Sequence, residues 1–264
     1  STKRSSSTIY PISDRTSAFT SPSDPVKIIL NSIGGNKWNI PGDWITWNFI
    51  VPEDGLYNIS MRTKQSASRG LFSTRKVYID DKIPFAEAEN SKFIYSSDWN
   101  IVTLGNEEEP FYFYLTKGEH EITLEATLGE YGTQINRVQN IIDELTRMYR
   151  KIISKTGISP DKYIDYDLQN QIPDLIETFE KSANDLYDIA MAMQLRKFIK
   201  KPRTIQRNLR PFSDNISSLG TWILTVSQQT LHVDYLIVHS DDYKLPKANP
   251  NFFGGTCNHH CELL

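Results

Sequence analysis

From Val26 to Gly129 the hydrophobic positions recur at every second residue and are interrupted by turn residues, the signature of strands that bury one face. In "DWITWNFIVPEDGLYNISMR", Ile45, Trp47 and Phe49 share one face, "PEDG" turns the chain, and Tyr57, Ile59 and Met61 resume the alternation. The expectation is a β-hairpin or a closely related strand pair. "RKVYIDDKIPF" repeats the form, with Val77 and Ile79 around a tight "DDK" turn. In "FYFYLTKGEHEITLEATLG", Phe111, Phe113 and Leu115 alternate into a turn at Lys117 and Gly118, and Ile122, Leu124, Ala126 and Leu128 alternate back. About six strands or more are expected here.

After Gly129 the period becomes helical. Ile135, Val138, Ile142, Leu145, Tyr149 and Ile152 recur at helical steps, and Gly157 suits the C-terminal cap. A second helix is predicted from near Pro173, carrying Leu175, Phe179, Leu186, Ala190 and Met193 and ended by Pro202. A third carries Ile205, Leu209, Phe212, Ile216 and Leu219, is divided or kinked at Pro211, and stops at Gly220. "TWILTVSQQTLHVDYLIVHS" then reads as strand, with Leu231, Val233, Tyr235 and Ile237 alternating against His232 and Asp234.

The predicted fold is mainly β with an α insertion. It is an antiparallel β-sandwich, of jelly-roll and galactose-binding-like form, interrupted by a small helical bundle. The boundaries read as an extended opening segment over 1–25, a sandwich from 26–129 and 220–245, a helical insertion over 130–219, and a flexible tail over 246–264.

Composition narrows the function classes. Aromatic residues make up 11% of the chain, the net charge is -3 and the pI is near 6.0, which argues against a nucleic-acid binder. The two cysteines, Cys257 and Cys261, lie in the tail, so no disulfide framework braces the fold. No apolar run is long enough to span a bilayer, and the opening lacks the apolar stretch of a signal peptide. Any export signal would lie upstream, and the opening, rich in Ser, Thr and Pro, reads as a linker-like entry, so the expectation is a piece of a longer protein.

"GGTCNHHCELL" puts Cys257, His259, His260 and Cys261 close together, a spacing that strains a tetrahedral zinc site. A flexible terminus is the preferred reading. No nucleophile elbow, phosphate loop, dinucleotide fingerprint or HExxH motif is present, and the expectation is a non-enzyme. His120, His232 and His239 fall in strand-like runs and read as structural, while "NEEEP" from Asn106 to Pro110 and the Asp pairs at 80–81 and 241–242 read as solvated turns. The basic stretch from Arg196 to Arg210 reads as the end of one helix and the solvated face of the next.

Sugar binding asks for an aromatic face to stack on a pyranose ring, flanked by side chains that grip hydroxyls. Asn36, Trp38, Arg69, Arg75 and Trp99 fit that description and are the candidate carbohydrate-binding residues. Trp38 is expected in a loop held by Gly34, Gly35 and Pro41, as a platform. Trp47 belongs on a core face, Trp44 lies on the opposite face of the same strand, and Trp222 is expected in the core at the start of a strand.

"DWITWNFIVPEDGLYNISMR" resembles a strand pair of jelly-roll carbohydrate-binding modules, and "LHVDYLIV" resembles their closing strand. With "RGLFSTRKVYIDDKIPF", "FYFYLTKGEHEITLEATLG", "LTRMYRKIISKTGISPDKYIDY" and "FSDNISSLGTWIL", the chain is similar over roughly residues 24–248 to a segment embedded in large extracellular solute-binding lipoproteins of bacterial carbohydrate ABC importers. The resemblance implies a cell-surface, extracellular module that partners carbohydrate and the receptor lobes of the same polypeptide or transporter. The charge balance argues for no nucleic-acid partner, and the resemblance implies membrane attachment only by an anchor outside this segment. It also implies that Asp234 matches half of a structural calcium site, calcium being the only cofactor in prospect. The other half, a Glu-containing opening strand, is missing, since "EAE" at 87–89 stands mid-chain.

Overall fold

The alternating stretch around Trp47 forms β4 (Trp44–Val51), with Ile45, Trp47 and Val51 buried and Asn48 and Ile50 exposed. The computed structural model describes residues 2–192 and 212–249, apart from 18, 19, 21, 23, 25, 68, 70, 107 and 108. By contact the chain divides into two compact units. One holds the described residues up to Gly129 and from Val226 onward, and the other is Glu130–Thr225.

The first unit is an antiparallel β-sandwich. One sheet runs in the order β1 (Thr2–Ser5), β4, β10 (Gly118–Thr127), β6 (Phe72–Ile79), β7 (Ser91–Ile94). The other runs β2 (Pro11–Ile12), β3 (Ser32–Gly35), β11 (Leu231–His239), β5 (Gly55–Gln65), β8 (Ser96–Thr103), and β9 (Phe113–Leu115) pairs with the start of β5. Register explains why the sequence alternates as it does. Ile122 of β10 lies opposite Trp47 and Ile79, and Leu124 lies opposite Ile45 and Val77. These side chains meet Ile59 and Met61 of β5 and Leu231 and Val233 of β11 in one core. The turn after β6 uses Asp80 and Asp81 at φ 50° and 61°, a left-handed conformation that Asp adopts more readily than most side chains, and the Asp80 carboxylate accepts the Glu121 N–H and bonds His120 across the sheet.

The helical unit holds α1 (Glu130–Thr156), α2 (Leu168–Gln171), α3 (Leu175–Ala192) and the greater part of α4 (Phe212–Ser227). Val138, Ile141 and Leu145 of α1 pack with Ile189 of α3, joined by Leu219, Trp222 and Ile223 of α4. α1 ends as its sequence dictates: Gly157, at φ 75°, donates its N–H to the Ile153 carbonyl at 2.8 Å.

Three boundaries differ from the sequence reading. The opening segment is not merely extended. β1 pairs with β4 and β2 with β3, because each sheet edge offers unpaired backbone groups that any extended chain can satisfy. Gly220 does not stop a helix: α4 runs through it to Ser227, which places Trp222 on a helix and moves the return to strand to Leu231. Leu219, Trp222 and Ile223 keep helical spacing across the glycine, and their burial outweighs its helix penalty of about 1 kcal/mol. The tail is engaged as far as Asn249, where Ala248 and Asn249 bond to the second sheet. Cys257, Cys261 and the basic stretch up to Arg210 lie outside the described residues, as does Met193.

Candidate functional site

β5 reads "GLYNISMRTKQ". Ile59 and Met61 enter the core, so Ser60, Arg62 and Lys64 project from the outer face of the second sheet. On that face Arg62 lies opposite Ile101 of β8, which brings Trp99, two residues earlier, to the same side. From β11 the face receives His232 and Asp234. The pairing of β11 with β5 shifts between Val233 and Tyr235, and this bulge at Asp234 re-aims its carboxylate toward Arg62.

Charged side chains on an outer sheet face are normally solvated, but these are covered. Arg62 is 1% exposed. Its Nη1 donates to Asp234 Oδ2 at 2.5 Å and to Thr20 Oγ1 at 3.1 Å, its Nη2 donates to Ser17 Oγ at 3.1 Å, and its Nε donates to the Ala248 carbonyl at 3.0 Å. The guanidinium carbon stands 4.7 Å from the centre of the Trp99 ring, a cation–π distance. Lys64 Nζ donates to Thr16 Oγ1 at 2.9 Å and pairs with Asp14 Oδ2 at 3.5 Å. Asp14 is tied down by Asn31, whose Oδ1 accepts its N–H and whose Nδ2 donates to its carbonyl.

Trp99 lies at the centre, 2% exposed. Its ring meets the His232 ring edge-on at 6.3 Å, and its carbonyl accepts from Asn249 Nδ2. The indole Nε1 and His232 Nδ1 are buried with no hydrogen-bond partner among the described residues. Only glycine fits beside this histidine, since a Cβ on Gly35, at φ 63°, would lie 2.3 Å from the imidazole. Burial and the nearby Lys64 push the His232 pKa below its ordinary value, with Asp14 opposing. Burial opposes ionisation of Asp14, but the Thr16 hydroxyl and amide together with Lys64 outweigh it and hold that carboxyl below its ordinary value.

The residues expected to bind sugar separate into groups. Trp38 is fully buried, donates its indole N–H to the Asp43 carbonyl at 2.9 Å, and meets Trp47 edge-on at 6.2 Å. It does not stand in an exposed loop, because a Gly pair lets the backbone tuck against β11: a Cβ on Gly34 would lie 2.2 Å from the Leu231 carbonyl. Arg75 lies over the Trp38 ring at 4.0 Å and is equally buried. Its Nη1 donates to the Thr74 carbonyl, its Nη2 donates to the Gln229 and Trp38 carbonyls, and burial pushes its pKa down to about 9. A stacking platform must show a face to solvent, so Trp38, Arg75 and Trp99 cannot serve as one in this conformation. Asn36 and Arg69 are exposed.

Asp234 does not fit half of a calcium site. Its Oδ2 is taken by the Arg62 guanidinium, and a second cation there would meet Arg62 with like charge. Among the described residues, no group of three or more His, Cys, Asp and Glu side chains is placed to hold a metal ion. The other two strand histidines have local partners: His120 bonds Asp80 and the Thr116 carbonyl, and His239 bonds Ser60 and the Ser240 carbonyl.

Arg62, Lys64, Asp14 and His232 were missed by sequence reasoning about sugar binding. The signal was present: "MRTK" sets two cations on one face of a strand whose other face is apolar, a combination that asks what neutralises them.

Three comparisons with known proteins bear on the chain. Residues 133–219 match the family described as bacterial solute-binding protein, 4-helix bundle domain, which is less than half of the chain. No curated protein matches. Among solved structures, the chain is similar to a family 35 carbohydrate binding module from Clostridium thermocellum, at 19% identity and a TM-score of 0.32, over 45% of this chain and 78% of that one. It is similar to the CBM35 from Paenibacillus barcinonensis at 12% identity and a TM-score of 0.31, over 48% and 88%. A Paenibacillus cycloisomaltooligosaccharide glucanotransferase, complexed with cycloisomaltoheptaose, is 21% identical with a TM-score of 0.31 over 45% of this chain, which spans 16% of that enzyme's length. Likenesses of this size carry no argument about what the sandwich binds, whereas the matched segment lies within the helical unit that interrupts the sandwich.

Proposed function

We propose that the chain is a non-catalytic, carbohydrate-binding or accessory module of an extracellular solute-binding protein that serves a sugar ABC transporter. The observation that carries this reading is the match of residues 133–219 to the solute-binding 4-helix bundle, set as an insertion within a β-sandwich. The sandwich then meets carbohydrate, and the helical unit belongs with the receptor lobes of the same polypeptide or transporter. The module works at the cell surface. Membrane attachment would come from an anchor outside this segment; among the described residues no helix is long and apolar enough to cross a membrane.

Calorimetry of the full chain against maltohexaose, cellohexaose, xylohexaose and mannohexaose tests the reading. Saturable binding to one of them is expected. One observation favours a second reading, in which the module is structural and binds no sugar: the aromatic residues best suited to stacking, Trp38 and Trp99, are buried. Heat of dilution alone across the whole panel would establish that second reading and end the first.

A further inference from the structure

We propose that the outer face of the second sheet around Trp99 is a binding site for a neutral sugar, and that the hydroxyls of Thr16, Ser17 and Thr20 hold the places a sugar's hydroxyls would take. This rests on the carbohydrate reading above and deepens it by naming the site and the class of ligand.

The chemistry of the cover is the first argument. Two N–H groups of Arg62 and the ammonium of Lys64 each end on an aliphatic hydroxyl: Thr20 at 3.1 Å, Ser17 at 3.1 Å and Thr16 at 2.9 Å. A Ser or Thr hydroxyl offers one donor and two lone pairs, as a sugar hydroxyl does. Exchanging one for the other conserves every hydrogen bond that the cations make here. Those contacts run through side chains and not through a strand ladder, since β2 ends at Ile12 and β3 begins at Ser32.

A second, independent observation points the same way. Trp99 is 2% exposed, yet among the described residues its indole N–H has no partner. The cover satisfies the cations and leaves the indole donor unused. A sugar hydroxyl set at the edge of the Trp99 ring, in the plane of the indole, supplies the missing acceptor.

Charge decides the ligand class. Arg62 is matched by Asp234, and Lys64 by Asp14. A neutral polyol replaces hydroxyl with hydroxyl and leaves this balance intact. A uronate would add a carboxylate beside two that are already present, in a setting where like charges are poorly screened.

The test is calorimetry of the full chain and of a Ser17→Ala/Thr20→Ala variant against the same four neutral hexasaccharides and tetragalacturonate. It is joined by hydrogen exchange at the amides of residues 14–17. Removing the competing hydroxyls should tighten neutral-glycan binding about tenfold, with tetragalacturonate the weakest ligand. Bound glycan should speed exchange at residues 14–17, because the cover is displaced. Trp99→Phe, which keeps an aromatic ring but removes the N–H, should weaken binding severalfold. Equal affinity in wild type and the double variant, unchanged or slower exchange at 14–17, or tetragalacturonate as the best ligand would overturn this site while leaving the carbohydrate reading intact. Absence of binding to every glycan in both proteins would remove the carbohydrate reading, and this site with it.

Discussion

Two arginines lie over two tryptophans in the same sandwich, and the pairs are held in opposite ways. Arg75 covers Trp38 at 4.0 Å inside the core, and Arg62 covers Trp99 at 4.7 Å on an outer sheet face. Among the described residues, the acceptors of Arg75 are the carbonyls of Thr74, Trp38 and Gln229. Those of Arg62 are one carboxylate, two hydroxyls and one carbonyl. Backbone carbonyls within the fold cannot leave without unfolding it, whereas a side-chain hydroxyl on a covering segment can be replaced by another hydroxyl. The indole donors follow the same division, since that of Trp38 is used by Asp43 and that of Trp99 has no partner among the described residues. The first pair is therefore a fixed part of the core, and the second is built in part from exchangeable hydroxyl contacts.

The largest expected effect tests the fixed pair. Trp38→Ala removes a fully buried indole and strips Arg75 of its stacking partner. It should cost about 3–5 kcal/mol in urea denaturation, more than Trp99→Ala, whose site a covering segment can collapse to fill. Equal losses would break the distinction between the pairs. Next in size is Asp234→Asn, which leaves the Arg62 charge without its carboxylate. Asn keeps an acceptor for Arg62, and burial already opposes the charge on Asp234. The cost expected is that of weakening a hydrogen bond to a charged group, about 1.5–3 kcal/mol, and an Arg62→Met/Asp234→Asn double-mutant cycle should show coupling between the two. Weak coupling would mean that the outer ion pair is no more than packing. Smaller again, Thr16→Ala and Ser17→Ala should each cost about 1 kcal/mol. Near-ultraviolet circular dichroism should show the Trp38 environment undisturbed.

The fixed pair was the harder of the two to read from the chain, although its surroundings were plain. Alternation placed Ile45, Trp47, Met61 and Ile122 in the core, and a helical period marked the inserted unit. These signals are local and repeat over many residues. Trp38 follows a Gly pair and resembles a loop residue, and nothing local reveals that glycine at 34 and 35 permits a close approach to a strand almost two hundred residues later. β1 and β2 were missed for a related reason. They are short edge strands held by backbone pairing, and carry little apolar alternation of their own. The outer cluster was half legible: Lys64 and Arg62 announce themselves on a strand, but their partners stand 48 residues earlier, at Thr16, and 172 later, at Asp234. Gly220 misled because a single helix breaker was weighed without the apolar contacts on either side of it.

The smallest effect separates the pairs by pH. Burial and Lys64 hold the His232 pKa below its ordinary 6.5, so just below pH 6.5 the unfolded chain binds a proton that the folded chain refuses. Stability then rises with pH through this window and is lost as pH falls below it. His232 touches Trp99 and not Trp38, and Arg75, at about 9, does not titrate there. Other groups add slopes of their own. Burial raises the Asp234 carboxyl, with Arg62 opposing, and for His120 burial is outweighed by Asp80 and the Thr116 carbonyl, so that its pKa rises. Both of these groups bind protons more tightly when the chain is folded, and both lose stability as pH rises. They are common to wild type and His232→Gln, and cancel in the difference between the two. Thermal melts of both proteins from pH 5 to 8 should therefore diverge, with the wild type losing Tm faster on acidification. In wild type, tryptophan fluorescence should respond to acid before the core unfolds, because protonated His232 presses a charge against the Trp99 ring. Parallel melts would mean that the imidazole is not held neutral against Trp99, and the outer cluster would then be as indifferent to protons as the pair inside the core.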